Sequence, residues 1–290
     1  MAIEALPYVT LLGFLFGSTL IASRFSVGQF HPTTYIGLRM VLASLGHIAV
    51  YTLGRRPWPR SLHLWRHAVL LGIFGTAIPM TAIVSSLKYQ SSGVTAVLLT
   101  TGPAITVLMA HFLLHDERLT GRKGMGIALA LGGALLLAAR GESGLPDVQR
   151  ASPLGYGLVL GAMVFSSGMT IYARKYMRHL DAFDVASVRM VAAALTVMPL
   201  SALVVGVNLS RVTVAGYLAL GWASAVGTFA GMMLAFYNIK RFGATAAAMT
   251  QYIIPVVAGI GGVVVLGERI TAGMGTGMAL IGGGIALLKE

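Results

Sequence analysis

Long apolar runs, separated by short polar connections, fill most of this chain of 290 residues. Ten of the runs have about 17–25 residues, the length that an α-helix needs to cross the hydrocarbon core of a membrane. Their apolar positions are continuous and do not alternate strictly with polar ones, which argues against a transmembrane β-barrel. The pattern predicts an all-α membrane protein with ten transmembrane helices, spans 1 to 10: residues 6–27, 33–53, 66–87, 91–114, 123–139, 153–173, 184–206, 213–238, 244–266 and 272–288.

Composition and charge support a membrane protein. Hydrophobic residues make up 56% of the chain and charged residues 10%, whereas a soluble domain has roughly a quarter charged residues. The net charge of +12 lies in short clusters between apolar runs, so the lipid bilayer is an expected partner and nucleic acid is not. The chain has no cysteine, which excludes disulfides and thiolate chemistry. The first apolar run follows Glu4 and is too long for a signal peptide, so we interpret it as a retained span.

Lysine and arginine predict the orientation, because cytoplasmic loops carry an excess of both. With the N-terminus in the cytoplasm, the inner loops and the C-terminus hold thirteen of these residues and the outer loops hold six. Both termini are therefore predicted to be cytoplasmic, in a bacterial inner membrane. Arg39 and Arg189 lie just inside spans 2 and 7.

The chain repeats itself. The segments "ERLTGRKGMGIALALGGALLL" at 117–137 and "ERITAGMGTGMALIGGGIALL" at 268–288 lie 151 positions apart. Further identities have offsets of 150 to 152: Arg24 and Arg174, Gly75 and Gly227, Pro103 and Pro255. Each half, 1–145 and 146–290, thus holds five spans, and this odd number inverts the second half in the membrane. Inverted repeats are common in secondary transporters, which bind their solute near the midplane between the repeats.

Small residues recur every fourth position in spans 5 and 10: Gly124, Ala128 and Gly132, and Gly275, Ala279 and Gly283. Such stripes let two helices approach closely in lipid. We expect these two helices to pack together, or against the outside of the bundle, and to act as scaffold.

Several features resemble the EamA-type branch of the drug/metabolite transporter superfamily: the two five-helix halves, a proline in each fourth helix, "E-R-[LI]-T" at that helix's end and a glycine-rich last helix. Within this branch the chain resembles the bacterial YddG-type exporters of aromatic and other neutral amino acids. The resemblance implies a ten-helix carrier with a central cavity formed by helices 1, 3, 4, 6, 8 and 9.

The two prolines indicate the candidate site. Pro103 and Pro255 lie about halfway along spans 4 and 9, and a proline leaves the carbonyl four residues earlier without its donor. In hydrocarbon a free carbonyl is tolerated only against protein or a water-filled cavity. We predict a midplane binding site between the two kinks, formed by Leu99, Thr100, Thr101, Gln251 and Tyr252; a packing kink is the alternative.

Other polar or bulky residues near the midplane extend this hypothesis to a neutral, hydroxyl-rich cavity: Ser18, Thr76, Met80, Ser166 and Phe229. Such a cavity suits an amphipathic solute better than an ion. None of the nine acidic residues lies in the middle of a span, so facilitated diffusion or exchange is at least as plausible as proton antiport.

Charged residues at the helix ends have structural interpretations. Glu117 and Glu268 end spans 4 and 9, and each is expected to bind a neighbouring helix N-terminus or the adjacent arginine, as a clamp or gate. For Arg39 and Arg189 we favour snorkelling or bonding between helices over binding of a solute carboxylate. His111 and His115 have a metal-binding spacing, but the second half does not repeat it, and no metal or other cofactor is predicted.

A monomeric carrier that exports small metabolites, chiefly neutral or aromatic amino acids, by alternating access is the leading hypothesis. A membrane-embedded enzyme acting on lipid-linked substrates is the alternative. It requires catalytic carboxylates or histidines at one leaflet, for which only the region around His111 qualifies. A channel is less favoured, because neither a charged ring nor a carbonyl filter is visible.

Overall fold

The computed structural model describes residues 3–114, 119–148 and 150–288. In this part of the chain each predicted span corresponds to a helical segment: α1 Leu6–Ser26, α2 Pro32–Leu53, α3 Leu62–Ser86, α4 Ser92–Leu113, α5 Gly121–Arg140, α6 Pro153–Tyr176, α7 Ala182–Val204, α8 Val214–Ile239, α9 Thr250–Leu266 and α10 Ala272–Leu288. The segments α1 to α8 are long and apolar enough to cross a membrane. The last two have 17 residues each, the lower limit for a span. The all-helical membrane fold is confirmed at this level.

Polar residues set the helix boundaries. The side chains of Ser91, Thr120 and Asp181 accept hydrogen bonds from backbone N–H groups in the first turns of α4, α5 and α7, which satisfies donors that a helix start leaves free. Gly141 and Gly267 follow α5 and α9 with φ of 66°, a left-handed conformation that glycine adopts at low cost. Short loops are therefore encoded between the long apolar runs.

Three helices are irregular inside. In α3 the turn Ile73–Ala77 is π-helical, and in α8 the segment Trp222–Ala230 is π-helical. In α4 the helix stops after Leu99 and resumes at Gly102. The helical backbone after α8 continues to Ala248 with a non-helical residue at Gly243.

Helices of the two halves interlock. The pairs α2–α7, α5–α10 and α4–α9 join equivalent helices of both halves, while α1 packs on α9 and α6 packs on α4. Likewise α3 packs on α7, and α8 packs on α2. Exchanging the halves leaves this set of contacts unchanged, which supports their origin from a repeat.

The prediction that α5 and α10 pack together is confirmed, but the predicted stripes are wrong. A Cβ built at Gly132, Gly275 or Gly283 meets nothing within 4 Å, and Ala128 and Ala279 are exposed. Contact is instead made through Gly126 and Gly284: a Cβ at Gly284 would lie 2.4 Å from the carbonyl oxygen of Gly126. Small residues occur on more than one face of both helices, so their spacing alone does not select the buried face.

Two ends of the bundle are named for their acidic residues. The Glu268 end, where α1 and α9 finish and α4 begins, is the end predicted to be periplasmic. The Asp181 end, where α2 finishes and α7 begins, is the opposite one. At the Asp181 end Arg56 pairs with Asp181 and with Asp184, each at 2.8 Å.

Candidate functional site

The interruption of α4 is the feature that the sequence predicted from Pro103. The N–H groups of Thr100 and Thr101 bind the carbonyls of Val97 and Leu98, three residues earlier, at 3.2 and 3.0 Å. Both threonine hydroxyls donate to the same carbonyls, at 2.6 and 2.7 Å. The hydroxyl protons are thus used within the helix, and only the oxygen lone pairs remain for another donor.

The expected kink at Pro255 has no matching interruption. The helix α9 runs without a break from Thr250 to Leu266 and contains Pro255. Its irregular residue comes earlier, at Met249. Pro255 lies six positions after Met249, whereas Pro103 lies two positions after Thr101, so the irregular residues of the two halves are not equivalent in position.

Polar groups of α6 approach the interruption of α4. Thr106 Oγ1 lies 2.9 Å from both the carbonyl oxygen of Gly102 and Ser167 Oγ, and its one proton is shared between these two acceptors. Ser167 Oγ also donates to the carbonyl of Gly102, at 3.3 Å. The residue of α6 that reaches the break is therefore Ser167, whereas the predicted Ser166 is half-buried one position earlier.

The structure separates the predicted site residues into three groups. The first lies at the α4–α9 contact: Thr100 and Thr101 are buried, Gln251 is half-buried, and Leu99 and Tyr252 pack against one apolar cluster beside α5 and α10. This group is consistent with a site between α4 and α9. Whether these residues contact a solute stays a prediction.

Ser18 forms the second group. Its hydroxyl donates to the carbonyl of Leu15 and accepts a bond from Trp222 Nε1, both at 3.1 Å. Both side chains line an apolar groove of about 700 Å³ between α1, α8 and α9. The groove is separate from the α4 interruption, so Ser18 faces a different surface from Thr101.

Thr76, Met80 and Phe229 form the third group, on the side of α2 and α7. Met80 packs against the apolar cluster of α2, α3, α7 and α8. The ring of Phe229 lies edge-on to His47 of α2, with centroids 5.2 Å apart. Thr76 is 2% exposed and accepts a hydrogen bond from Arg189 Nε. None of the contacts named here joins these three residues to Thr100 or Thr101.

Two arginines fasten the π-helical turns, and this arrangement is present in both halves. Arg39 Nε of α2 donates to Thr228 Oγ1 of α8 at 2.7 Å. Arg189 of α7 donates to Thr76 Oγ1 of α3 and to the carbonyl of Gly75 at 3.2 Å. The expectation of bonding between helices is confirmed for both arginines. We did not predict a role for Thr228. Its offset of 152 positions from Thr76, the same as that of the repeat, could have identified it as the equivalent residue.

The Glu268 cluster, Arg24, Ser92 and Glu268, joins α1, α4 and α9 at one end of the bundle. Glu268 is 5% exposed. Its carboxylate accepts bonds from the Ser92 N–H at 2.9 and 3.1 Å and from the Ser92 hydroxyl at 2.6 Å. The Nε of Arg24 lies 3.7 Å from it. The prediction that Glu268 binds a neighbouring helix N-terminus is confirmed; Glu117, for which the same was predicted, lies outside the described residues.

An apolar cluster extends from beneath this end past the interruption of α4, since it includes Ala96 before the interruption and Ile105 after it. It joins side chains of α1, α3, α4, α6 and α9: Leu20, Ile83, Ala96, Ile105, Ala162, Met163, Ile254 and Ala258. The half of α4 before the interruption packs on α9, whereas the half after it packs on α5, α6 and α10. The two helices are thus joined toward the Glu268 end.

The region around His111, on which the enzyme alternative depends, is described in part. His111 Nδ1 accepts a bond from the Leu119 N–H at 3.3 Å. Its predicted companions His115 and Asp116 lie outside the described residues. Within these ranges no three His, Cys, Asp or Glu side chains are grouped to hold a metal ion.

Apolar helices with polar contacts between them, joined by short loops, define a multi-pass membrane protein. The model of the EamA-like transporter family matches residues 4–139 and 153–289. The chain therefore belongs to this family of the drug/metabolite transporter superfamily.

Relatives and a solved structure agree with this assignment. An uncharacterized transporter of Archaeoglobus fulgidus is 24% identical over 94% of this chain and 95% of its own length. The uncharacterized inner membrane transporter YedA of Escherichia coli is 24% identical over 89% of this chain and 81% of its own length. One crystal structure has a TM-score of 0.64 at 22% identity, over 96% of this chain and 94% of the other, and thus shares the fold.

Proposed function

We propose that this protein is a secondary carrier of small neutral solutes, above all neutral and aromatic amino acids, which it exports across a bacterial inner membrane. Alternating access in an inverted repeat of two five-helix halves, 1–145 and 146–290, is the proposed mechanism. Both termini lie in the cytoplasm, and the monomer is the working unit. The observation that carries the proposal is the one-sided closure of the α4–α9 pair by the Glu268 cluster.

Closure at one end is the state that alternating access requires. The N–H and the hydroxyl of Ser92 both donate to the Glu268 carboxylate, and the apolar cluster that includes Ala258 lies beneath them. Ser92 Oγ also lies 3.1 Å from the carbonyl oxygen of Ala258 in α9, so its single proton is shared between this carbonyl and the closer Glu268 carboxylate. A solute near Thr101 and Gln251 would therefore leave this closed state toward the Asp181 end.

The solute class follows from the lining of the α4–α9 contact. Thr100, Thr101 and Gln251 supply hydroxyl oxygens and an amide, without a fixed charge. Carbonyls near Pro103 accept from an ammonium group, and the Gln251 amide donates to a carboxylate. A neutral amphipathic solute fits these groups better than an inorganic ion.

Counterflow in proteoliposomes tests the proposal. Liposomes loaded with an unlabelled neutral amino acid should accumulate the same labelled amino acid transiently, and empty liposomes should not. Thr101→Leu and Gln251→Leu should abolish counterflow at wild-type expression and monodispersity. Thr170→Leu is the matched control, because Thr170 is exposed on α6.

Two outcomes contradict the proposal. If Thr101→Leu and Gln251→Leu both show counterflow at the wild-type rate, the solute does not bind at the α4–α9 contact. Turnover of a lipid-linked compound by the wild type, without counterflow of any amino acid, would replace the carrier by the enzyme alternative.

A further inference from the structure

A small cavity of mixed polarity opens beside the Glu268 cluster. Its volume is about 330 Å³, at the lower end of the range for small-molecule sites. Arg24, Asp147 and Glu268 supply charges to its wall, and Phe25 and Leu145 supply apolar surface. It is distinct from the α4–α9 contact, because none of the residues predicted there lines it.

Arg24 is the cationic group of this cavity. Its Nε is buried and has no hydrogen-bond partner, and its contact with Glu268 is an ion pair at 3.7 Å. Glu268 is already satisfied by Ser92, which donates from both its N–H and its hydroxyl. The guanidinium therefore keeps donors for a second carboxylate, a group that arginine can bind with two parallel hydrogen bonds.

Asp147 is the anionic group. It is exposed in the loop between α5 and α6, and its carboxylate forms no ion pair with any described residue. Backbone bonds fix the base of this loop: Ser91 N–H donates to the carbonyl of Ser143, and Arg269 N–H donates to that of Gly144, each at 2.8 Å. These bonds anchor residues 143 and 144, and Asp147 lines the cavity three positions further along the chain.

From these groups we infer that the cavity is a vestibular binding site for a zwitterionic amphipathic solute. Arg24 binds its carboxylate, Asp147 binds its ammonium group, and Phe25 and Leu145 contact its apolar side chain. An amino acid with an apolar side chain carries these three features. The inference rests on the proposed function for its solute class and places a second site on the path, at the Glu268 end.

Binding here has a consequence for the closed end. A solute carboxylate on Arg24 competes with Glu268 for the same guanidinium, so it removes one of the contacts that hold α1 to α9. Solute on the Glu268 side would thereby favour opening, as exchange of internal for external solute requires.

A single cysteine gives a local measure of occupancy. Gly28 lines the cavity and has open space around a built Cβ, and the chain has no other cysteine. Gly28→Cys protein in liposomes is labelled with a membrane-impermeant thiol reagent, with or without L-leucine, isoamylamine or 4-methylpentanoate. Leucine should slow labelling at concentrations at which the amine and the acid alone do not.

Charge variants in the Gly28→Cys background identify the partners. Arg24→Gln and Asp147→Asn should each raise the leucine concentration for half-protection at least about tenfold, the change expected for losing one charge-assisted hydrogen bond. Arg211→Gln is the control, since Arg211 is exposed in the loop before α8. In this variant leucine should protect the cysteine at the same concentration as in the Gly28→Cys parent.

Counterflow in the same liposomes separates this inference from the proposed function. Two results overturn the vestibular site and leave the proposed carrier function intact. The first is leucine counterflow without protection of the Gly28→Cys protein from labelling, and the second is protection that is unchanged in both charge variants. Protection without counterflow of any amino acid supports the site and overturns the carrier. Neither protection nor counterflow overturns both.

Discussion

Removal of the Glu268 carboxylate should open the end of the bundle that it closes. The Ser92 N–H and hydroxyl both donate to this carboxylate, at 2.9 and 2.6 Å. Hydrogen bonds to a charged group contribute about 1.5–3 kcal/mol each, so Glu268→Ala removes roughly 3–6 kcal/mol of gross interaction from the closed state. Water that enters on opening replaces part of this loss.

Even a net loss of about 1.4 kcal/mol changes the population ratio of open and closed states tenfold. Glu268→Gln keeps one acceptor oxygen and lacks the charge, so its effect should lie between those of the wild type and of Glu268→Ala. Ser92→Ala removes the hydroxyl donor and leaves the N–H, and it should also be intermediate.

Accessibility of a buried position beneath the cluster measures this opening. Ala258 is 0% exposed, and Ala258→Cys would carry the chain's single cysteine. An impermeant thiol reagent applied from the Glu268 end should label it at least about tenfold faster in the Glu268→Ala background. Glu4→Ala, which removes an exposed carboxylate near the N-terminus, should leave the rate unchanged. An unchanged rate in a folded Glu268→Ala protein would refute closure by this cluster.

Three further substitutions have expected outcomes. Gly284→Leu should reduce folded yield in detergent, because its Cβ alone would lie 2.4 Å from Gly126 O, whereas Gly283→Leu, with open space, should match wild type. Thr228→Val should lower unfolding temperature in detergent by leaving buried Arg39 Nε without its acceptor, at a cost of about 1–3 kcal/mol; the exposed Thr170→Val should not. Burial alone would raise the pKa of Asp181, but the Asp184 N–H and Arg56 lower it below 3.8. The ionised Asp181 therefore stabilises the folded protein above that pH. This contribution is lost as acidification passes the lowered pKa. Arg56→Met should reduce this acid-sensitive component of the unfolding free energy between pH 6 and 3 by about 1 kcal/mol or less, and the part due to the Asp184 N–H should remain.

Those parts of the fold that follow from local chemistry were predictable from the sequence. Span positions follow from apolar length, and the partner of Glu268 follows from the unfavourable position of a carboxylate at a helix C-terminus. The interruption of α4 follows from the missing N–H of Pro103. Each conclusion needs only residues close together in the chain and one general rule.

Features that depend on a distant partner were not predictable in the same way. The π-helical turns contain no proline or other marker, and they are held by arginines 113 and 189 positions away. The choice of Gly284 over Gly283 for the α10 contact depends on the rotation of both helices. Likewise, the sequence prediction grouped Ser18 and Phe229 with Thr101 because all three lie at a similar depth in the membrane. In the structure their side chains contact different surroundings.

The arginine contacts also determine which helices can move together. Arg39 belongs to the first half and holds α8 of the second, while Arg189 belongs to the second half and holds α3 of the first. The α1–α9 and α4–α6 contacts cross between the halves in the same way. A motion that separated residues 1–145 from 146–290 as two rigid bodies would break all of these contacts, including buried bonds of charged groups. Opening at the Glu268 end instead requires that the Arg24–Glu268–Ser92 contacts, the Ser92–Ala258 bond and the apolar cluster beneath them part. For the proposed alternating access we therefore expect movement of helix pairs drawn from both halves, with the arginine contacts to the π-helical turns kept intact.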